Sequence, residues 1–163
     1  MRRSLKKIIS GGQTGVDQAA LVAAKKLGIA IGGWAPKGYR CENGTIPRKY
    51  AECMDEAPVA DYSKRTEMNV RDSDATIIYC HRINESRGTK LTVELCKKLR
   101  KPWFDMVSET QLFDENDDGY EHFAALVQGF GIINVAGSRE SKFPGIFDAA
   151  RDRLLEVFRR LLI

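Results

Sequence analysis

The sequence contains little of what several classes of protein require. It has only two histidines in 163 residues, so a metal centre built on imidazole ligands is not expected. Its four cysteines show no CxxC spacing, and a chain of this length folds without disulfides, so free thiols are predicted. No apolar run approaches the roughly 20 residues that a membrane-spanning helix needs.

Strong charge of one sign is also missing. The net charge is only +4 and no stretch interleaves basic with aromatic residues, so binding to a nucleic-acid polymer is not predicted. A small anionic ligand fits this mild excess of positive charge. The apolar segment 5–9 is short and contains two lysines, unlike a signal peptide, so we predict a cytoplasmic protein without membrane contact.

What the chain does contain is an alternation of strand and helix patterns. Strands are predicted at 5–9, 29–34, 75–80, 103–107 and 131–135, and helices at 15–27, 64–73, 88–100, 120–128 and 144–162. This alternation predicts the α/β class, with a Rossmann-like three-layer α/β/α architecture and a mostly parallel sheet. Neither repeats nor a second domain are evident, so residues 1–163 are expected to form one ligand-binding domain.

Three further segments are interpreted from their composition and pattern. Residues 35–60 are rich in proline, glycine and asparagine and predict a long ordered loop. The acidic run at 114–118 predicts a solvated loop, and a calcium site is less favoured because EF-hand spacing is absent. The apolar stripe of the last helix predicts core packing, with a homodimer surface as the alternative. We also predict a homo-oligomer.

Glycine, hydroxyl and cationic residues follow the predicted strands, in segments 10–15, 34–40, 81–89 and 136–145. Ligands of parallel sheets bind beyond the carboxyl ends of the strands, where these segments meet. Several such loops at one edge predict a site for a phosphorylated small molecule. The lysines and arginines in them would bind its phosphate.

The first of these segments, Ser-Gly-Gly-Gln-Thr-Gly, leads directly into a predicted helix. Its main-chain N–H groups are expected to face an anion at the helix start. Asp17 either satisfies that helix start or holds a ligand hydroxyl or metal. The segment matches neither the dinucleotide-binding motif GxGxxG nor the P-loop motif GxxxxGK[ST]. The alternative to an anion site is a turn that only joins the strand to the helix.

Gly88 and Thr89 open another helix and predict a second anion site. The full set of predicted binding residues combines both helix starts with nearby hydroxyl and cationic side chains: Gly11, Gly12, Gln13, Thr14, Gly15, Asp17, Lys37, Arg40, Arg87, Gly88, Thr89, Ser138, Arg139 and Lys142. No catalytic residue and no metal ligand is predicted. Cys41 lies beside Arg40, whose charge could lower the pKa of the thiol, but an incidental thiol is favoured.

Together these motifs resemble a known family. Segments 10–17, 33–38, 65–74, 88–92 and 134–145 are similar to the putative molybdenum carrier family, which is related to the lysine-decarboxylase-like nucleotide-binding proteins. The resemblance covers nearly the whole chain. It implies a Rossmann-like fold and binding of molybdenum cofactor (molybdopterin), a phosphorylated pterin.

The wider group also includes phosphoribohydrolases, whose motif is Gly-Gly-x-Gly-Thr-x-x-Glu with a catalytic glutamate. Here the glutamate position holds Thr92, and Glu94 lies roughly 200° further around the helix. A carrier or sensor is therefore favoured. The alternatives are a nucleotide-processing enzyme using Asp17 or Glu94 as general acid or base, and an interaction module using the long loop and last helix.

Overall fold

A computed structural model describes residues 4–111 and 117–163. The strands are β1 (Lys7–Ile9), β2 (Ala30–Gly32), β3 (Trp34–Ala35), β4 (Arg40–Cys41), β5 (Gly44–Thr45), β6 (Asp55–Glu56), β7 (Ala75–Tyr79), β8 (Trp103–Asp105) and β9 (Ile132–Gly137). The helices are α1 (Val16–Lys26), α2 (Arg48–Ala51), α3 (Tyr62–Arg71), α4 (Arg87–Lys98), α5 (Met106–Gln111), α6 (Asp117–Val127) and α7 (Ile146–Leu161).

The central sheet has the order β2-β1-β9-β7-β8, and all its strands run parallel. Ile8 pairs with Ile31 on one side and with Ile133 on the other. Every residue of β7 is buried, as expected for a strand covered on both faces. The predicted Rossmann-like α/β fold is confirmed.

Helices cover the sheet in two layers. On one face α1 packs against α7, and α7 against α6, whereas α3 packs against α4 on the other face. The predicted apolar stripe of α7 belongs to the core, with Ile146, Ala150, Leu154 and Phe158 buried. Because the chain itself covers this stripe, a homo-oligomer would need another surface.

The predicted second strand is divided at Gly33. This residue has a φ of +121°, and a Cβ built on it would lie 2.2 Å from the Ser10 carbonyl oxygen. The turn at Gly33 takes the chain out of the central sheet, so β3 pairs with β6 instead of continuing β2.

The interpretation of residues 35–60 as a loop without regular elements is wrong. They contain the β4–β5 hairpin, α2 and β6, which enclose a small cluster of Ala35, Cys41, Ile46, Tyr50 and Met54 against α1. Each element is only two residues or one turn long, too short to show a hydrophobic period.

The predicted acidic loop begins at Asp114 and Glu115, which lie outside the described residues; α6 starts at Asp117. Within the described part of the chain, no helix combines the length and apolar character needed to cross a membrane.

Candidate functional site

The strand order places the site. If counting starts at β9, the order becomes third-second-first-fourth-fifth, which is the order of a Rossmann sheet. From its carboxyl end β9 leads to α7 on one face, whereas its neighbour β7 leads to α4 on the other face. The connections diverge between these two strands, and ligands of open α/β sheets bind at such a switch point.

A cleft of about 930 Å³ lies at this point. The segments after β7 and β9 both line it, and the start of α3 adds Tyr62 and Arg65. The predicted binding residues that line the cleft are Gln13, Asp17, Arg87, Gly88, Thr89, Ser138, Arg139 and Lys142. The structure thus brings residues from both predicted helix starts to one cavity.

Six predicted binding residues do not line this cleft: Gly11, Gly12, Thr14, Gly15, Lys37 and Arg40. The glycines and Thr14 form the turn behind it. Lys37 and Arg40 are exposed on the segment around β4, where the Lys37 N–H donates to the Val59 carbonyl at 3.0 Å. The β3–β6 pairing holds that segment, which explains why these two cations do not converge with the others.

Several main-chain N–H groups of the first turn that were expected to be free are engaged within the protein. The Gln13 N–H donates to Asp17 Oδ2 at 3.2 Å, and the Thr14 N–H to Gln13 Oε1 at 3.1 Å. The Val16 N–H donates to the Ser138 carbonyl at 3.1 Å. An internal carboxylate, an amide and a carbonyl thus occupy these three donors, and Gln13 and Asp17 are the residues of this segment that line the cleft.

A buried ion pair forms one wall of the cleft. Arg65 Nη1 lies 3.6 Å from Asp17 Oδ2, and both side chains are nearly enclosed. Burial raises the pKa of Asp17 above its ordinary value, although the charge of Arg65 opposes this. Gly11 makes the arrangement possible, because a Cβ there would lie 1.9 Å from Arg65 Nη1.

Two buried donors in this wall have no partner. Among the described residues, the buried side-chain nitrogen and oxygen atoms that lack a hydrogen bond are Gln13 Nε2 and Arg65 Nε. Gln13 is only 6% exposed, and its Oε1 is already engaged by the N–H groups of Thr14 and Glu42. An unsatisfied buried donor costs about 1–3 kcal/mol, so these two atoms destabilise this wall unless a movement of their side chains brings them to an acceptor.

The start of α4 supplies further donors. Ser86 caps the helix by accepting the Thr89 N–H at 3.3 Å. The N–H groups of Arg87 and Gly88, in the first turn, have no acceptor within the helix. Gly88 has open space around it, and its position at the cleft lets an anion approach these amides.

Glu42 joins three segments behind the cleft, and the sequence did not indicate it. Its carboxylate accepts hydrogen bonds from the Thr14 hydroxyl and from both the N–H and hydroxyl of Ser141, and it lies 4.0 Å from Arg139 Nε. Partial burial alone would raise the pKa of Glu42, but the bonds from Ser141 and Thr14 lower it below the ordinary value.

Replacing Glu42 with glutamine should reduce stability at neutral pH by about 1–3 kcal/mol, because charge-assisted hydrogen bonds are lost. A depressed folded-state pKa stabilises above the unfolded-state pKa, and this stabilisation is lost as pH falls through the folded value. The difference in unfolding free energy between wild type and Glu42→Gln should therefore shrink below pH 4.5. Urea unfolding from pH 7 to pH 3 measures it, and a difference independent of pH would contradict this role.

The helix before β7 contributes residues that are not in the predicted set of binding residues. Arg65 and Arg139 both contact the Tyr62 ring, with guanidinium carbons 5.5 and 5.9 Å from its centroid. Tyr62 and Arg65 lie outside the four segments that directly follow predicted strands. A helix that precedes a strand of a parallel sheet runs antiparallel to that strand, so its first turn lies at the edge of the sheet where the strands end. The first turns of such helices are therefore candidates for the site, and this rule would have indicated Tyr62 and Arg65.

Thr92 and Glu94 lie on different faces of α4, as expected from the angle between them around the helix. Thr92 lines the cleft and donates to the Gly88 carbonyl at 3.0 Å, whereas Glu94 is exposed and lies outside the lining.

Cys41 is buried, and this burial raises the pKa of its thiol, so the suggestion that Arg40 lowers it is wrong.

The fold and cleft define a Rossmann-like α/β protein whose sheet has the usual strand order with a displaced chain start. Residues 8–158 match the model of the circularly permutated YpsA SLOG family, and the chain belongs to this family. Beginning the count at β9 restores the unpermuted order.

A solved structure from Syntrophus aciditrophicus SB, named "Putative molybdenum carrier protein", is 40% identical to this chain. The match covers 97% of each chain with a TM-score of 0.79. No curated protein matches the sequence.

Proposed function

We propose that this protein binds a phosphorylated small molecule in the switch-point cleft, as a carrier or sensor that does not convert it. Molybdenum cofactor and nucleotides are the candidate ligands. The observation that carries the proposal is the first turn of α4 at the cleft, where the N–H groups of Arg87 and Gly88 have no acceptor within the helix and cationic side chains lie close by. A phosphate oxygen would supply the missing acceptor.

The charge of the lining supports an anionic ligand. Its described cationic side chains are Arg65, Arg82, Arg87, Arg139 and Lys142, against the single carboxylate of Asp17. The volume of about 930 Å³ lies within the range of small-molecule sites and admits a pterin phosphate or a nucleotide. The name of the 40% identical relative favours a molybdenum-containing ligand for that protein, and we extend this to the present chain.

A ligand at 100 times its dissociation constant should stabilise the protein by about 2.7 kcal/mol, which for this size raises Tm by roughly 5–11 °C. Thermal unfolding with molybdopterin, nucleoside monophosphates and sugar phosphates measures this. The proposal fails if none of these compounds shifts Tm.

Two arginines provide a matched comparison within that experiment. Arg87→Ala removes a cation from the cleft and should weaken binding about tenfold, the effect of one charged hydrogen bond. Arg40→Ala removes an exposed cation outside the lining and should leave the affinity unchanged. Equal effects of both variants would indicate attraction by net charge rather than a site.

Asp17 favours a second candidate function, hydrolysis of a nucleotide at its N-glycosidic bond. Its carboxyl lines the cleft with a raised pKa, as a general acid requires. Chromatography after incubation with nucleoside monophosphates would detect the released base. Release by wild type that is abolished in Asp17→Asn would replace the carrier function with this one.

A further inference from the structure

Two aromatic rings meet between the segments that follow β7 and β9. The centroids of His81 and Phe143 are 4.4 Å apart and their planes differ by 22°, so the rings are stacked. Tyr79 contacts His81 edge-on from the sheet, with centroids 6.1 Å apart. His81 lies in the segment after β7 and Phe143 in the segment after β9, so both stacked rings lie at the switch point and line the cleft.

Phe143 lies exposed to solvent on a hydrogen-bonded turn. It is 43% exposed although it is apolar. Its N–H donates to the Arg139 carbonyl at 3.2 Å, and its carbonyl accepts the Ile146 N–H at 3.0 Å. An exposed ring whose backbone is fixed on both sides loses little further freedom when another ring packs on it.

The remaining aromatic ring of the described lining serves a different purpose. Tyr62 is engaged by the guanidinium groups of Arg65 and Arg139, and so it positions cations. The cleft therefore combines two kinds of surface: donors and cations for an oxyanion, and an aromatic pair for a flat apolar face. A ligand that satisfies both has a planar ring joined to a phosphate.

We infer that Phe143, supported by His81, is the subsite that recognises the ring of the ligand. A planar heteroaromatic ring packs on Phe143 while the attached phosphate reaches the donors of the cleft. This rests on the proposed function and adds its specificity: ring-bearing phosphates are selected over bare sugar phosphates. Stacking does not depend on the hydrogen-bonding groups at the edge of a ring, so the subsite accepts different flat rings.

The experiment compares ring-bearing probes with a ringless one. AMP, GMP and a pterin monophosphate are titrated against ribose 5-phosphate by calorimetry, with wild type, Phe143→Leu and Phe143→Tyr. Wild type should bind at least one ring-bearing probe about tenfold tighter than ribose 5-phosphate, within the range for stacking on an aromatic side chain. Phe143→Leu should abolish that preference and change ribose 5-phosphate affinity less than about twofold, and Phe143→Tyr should retain it.

Val59→Ala is the control, since Val59 is 44% exposed, similar to Phe143, but lies outside the lining. It should change no affinity. Equal loss of all probes in Phe143→Leu would overturn the ring subsite, as would a wild type that binds all probes without preference for rings. Neither result would contradict the proposed function, because wild type would still bind the phosphates. Failure of every probe to bind wild type would overturn the proposed function and the subsite together.

Discussion

Replacing Gly15 with alanine should destabilise the protein by about 4 kcal/mol, combining a forbidden backbone conformation with overpacking. Gly15 has φ +79° and ψ −126° at the start of α1. An added Cβ would lie 2.4 Å from the Ser138 carbonyl oxygen and 2.8 Å from the Glu140 nitrogen. Both contacts are backbone atoms, so no side chain can move away, and the segment after β9 would be displaced from the cleft.

Gly28 offers a matched control at the other end of α1. Its φ is +71°, but an added Cβ meets nothing within 4 Å. Gly28→Ala should therefore cost only about 1 kcal/mol, for the left-handed conformation alone. Urea unfolding of both variants gives the comparison. Similar losses would show that the contact with Ser138 is not as close as the structure indicates.

Replacing Arg65 with methionine should cost about 3–5 kcal/mol at neutral pH, because it leaves the buried charge of Asp17 without a partner. Asp17 is 5% exposed, and Arg65 is its ion-pair partner at 3.6 Å. The double variant Asp17→Asn with Arg65→Met removes both charges. It should lose less stability than the sum of the two single variants.

The pH dependence of Arg65→Met tests the same ion pair independently. Burial already raises the pKa of Asp17 in the folded protein, and loss of the opposing arginine raises this pKa further. A raised carboxyl pKa makes the folded state less stable as pH rises from the unfolded-state pKa through the folded value. The deficit of Arg65→Met relative to wild type should thus shrink in acid. Additive single effects together with a pH-independent deficit would exclude the coupling.

In this chain the strand that is first in a Rossmann sheet is near the C-terminal end, and this explains which loop lies at the centre of the cleft. In the unpermuted order the first strand is followed by the ligand-binding turn, and here that strand is β9, near the end of the chain. The segment 136–145 therefore holds the central position, together with the start of α4. The glycine-rich turn at 10–15 lies one strand away and contributes side chains to the edge of the cleft.

How much of the site the sequence predicts depends on the range of the interactions. Arg87, Gly88 and Thr89 line the cleft as expected, because a helix start after a buried strand has local signals: a capping serine, a glycine and a change of period. Lys37 and Arg40 shared the same composition but lie outside the cleft, since the β3–β6 pairing determines their position. Arg65 was missed because its role depends on a contact with Asp17, far away in the chain.

The sequence by itself determined the α/β class, the alternation of elements, the core stripe of α7 and the edge of the sheet where a site would lie. These follow from hydrophobic period and turn residues, which act over a few neighbouring positions. Only the tertiary structure decided the strand order, the ion pair between Asp17 and Arg65 and the unpartnered donor of Gln13. Each of these depends on pairings between distant segments, and the free energy of such contacts is set by packing rather than by local pattern.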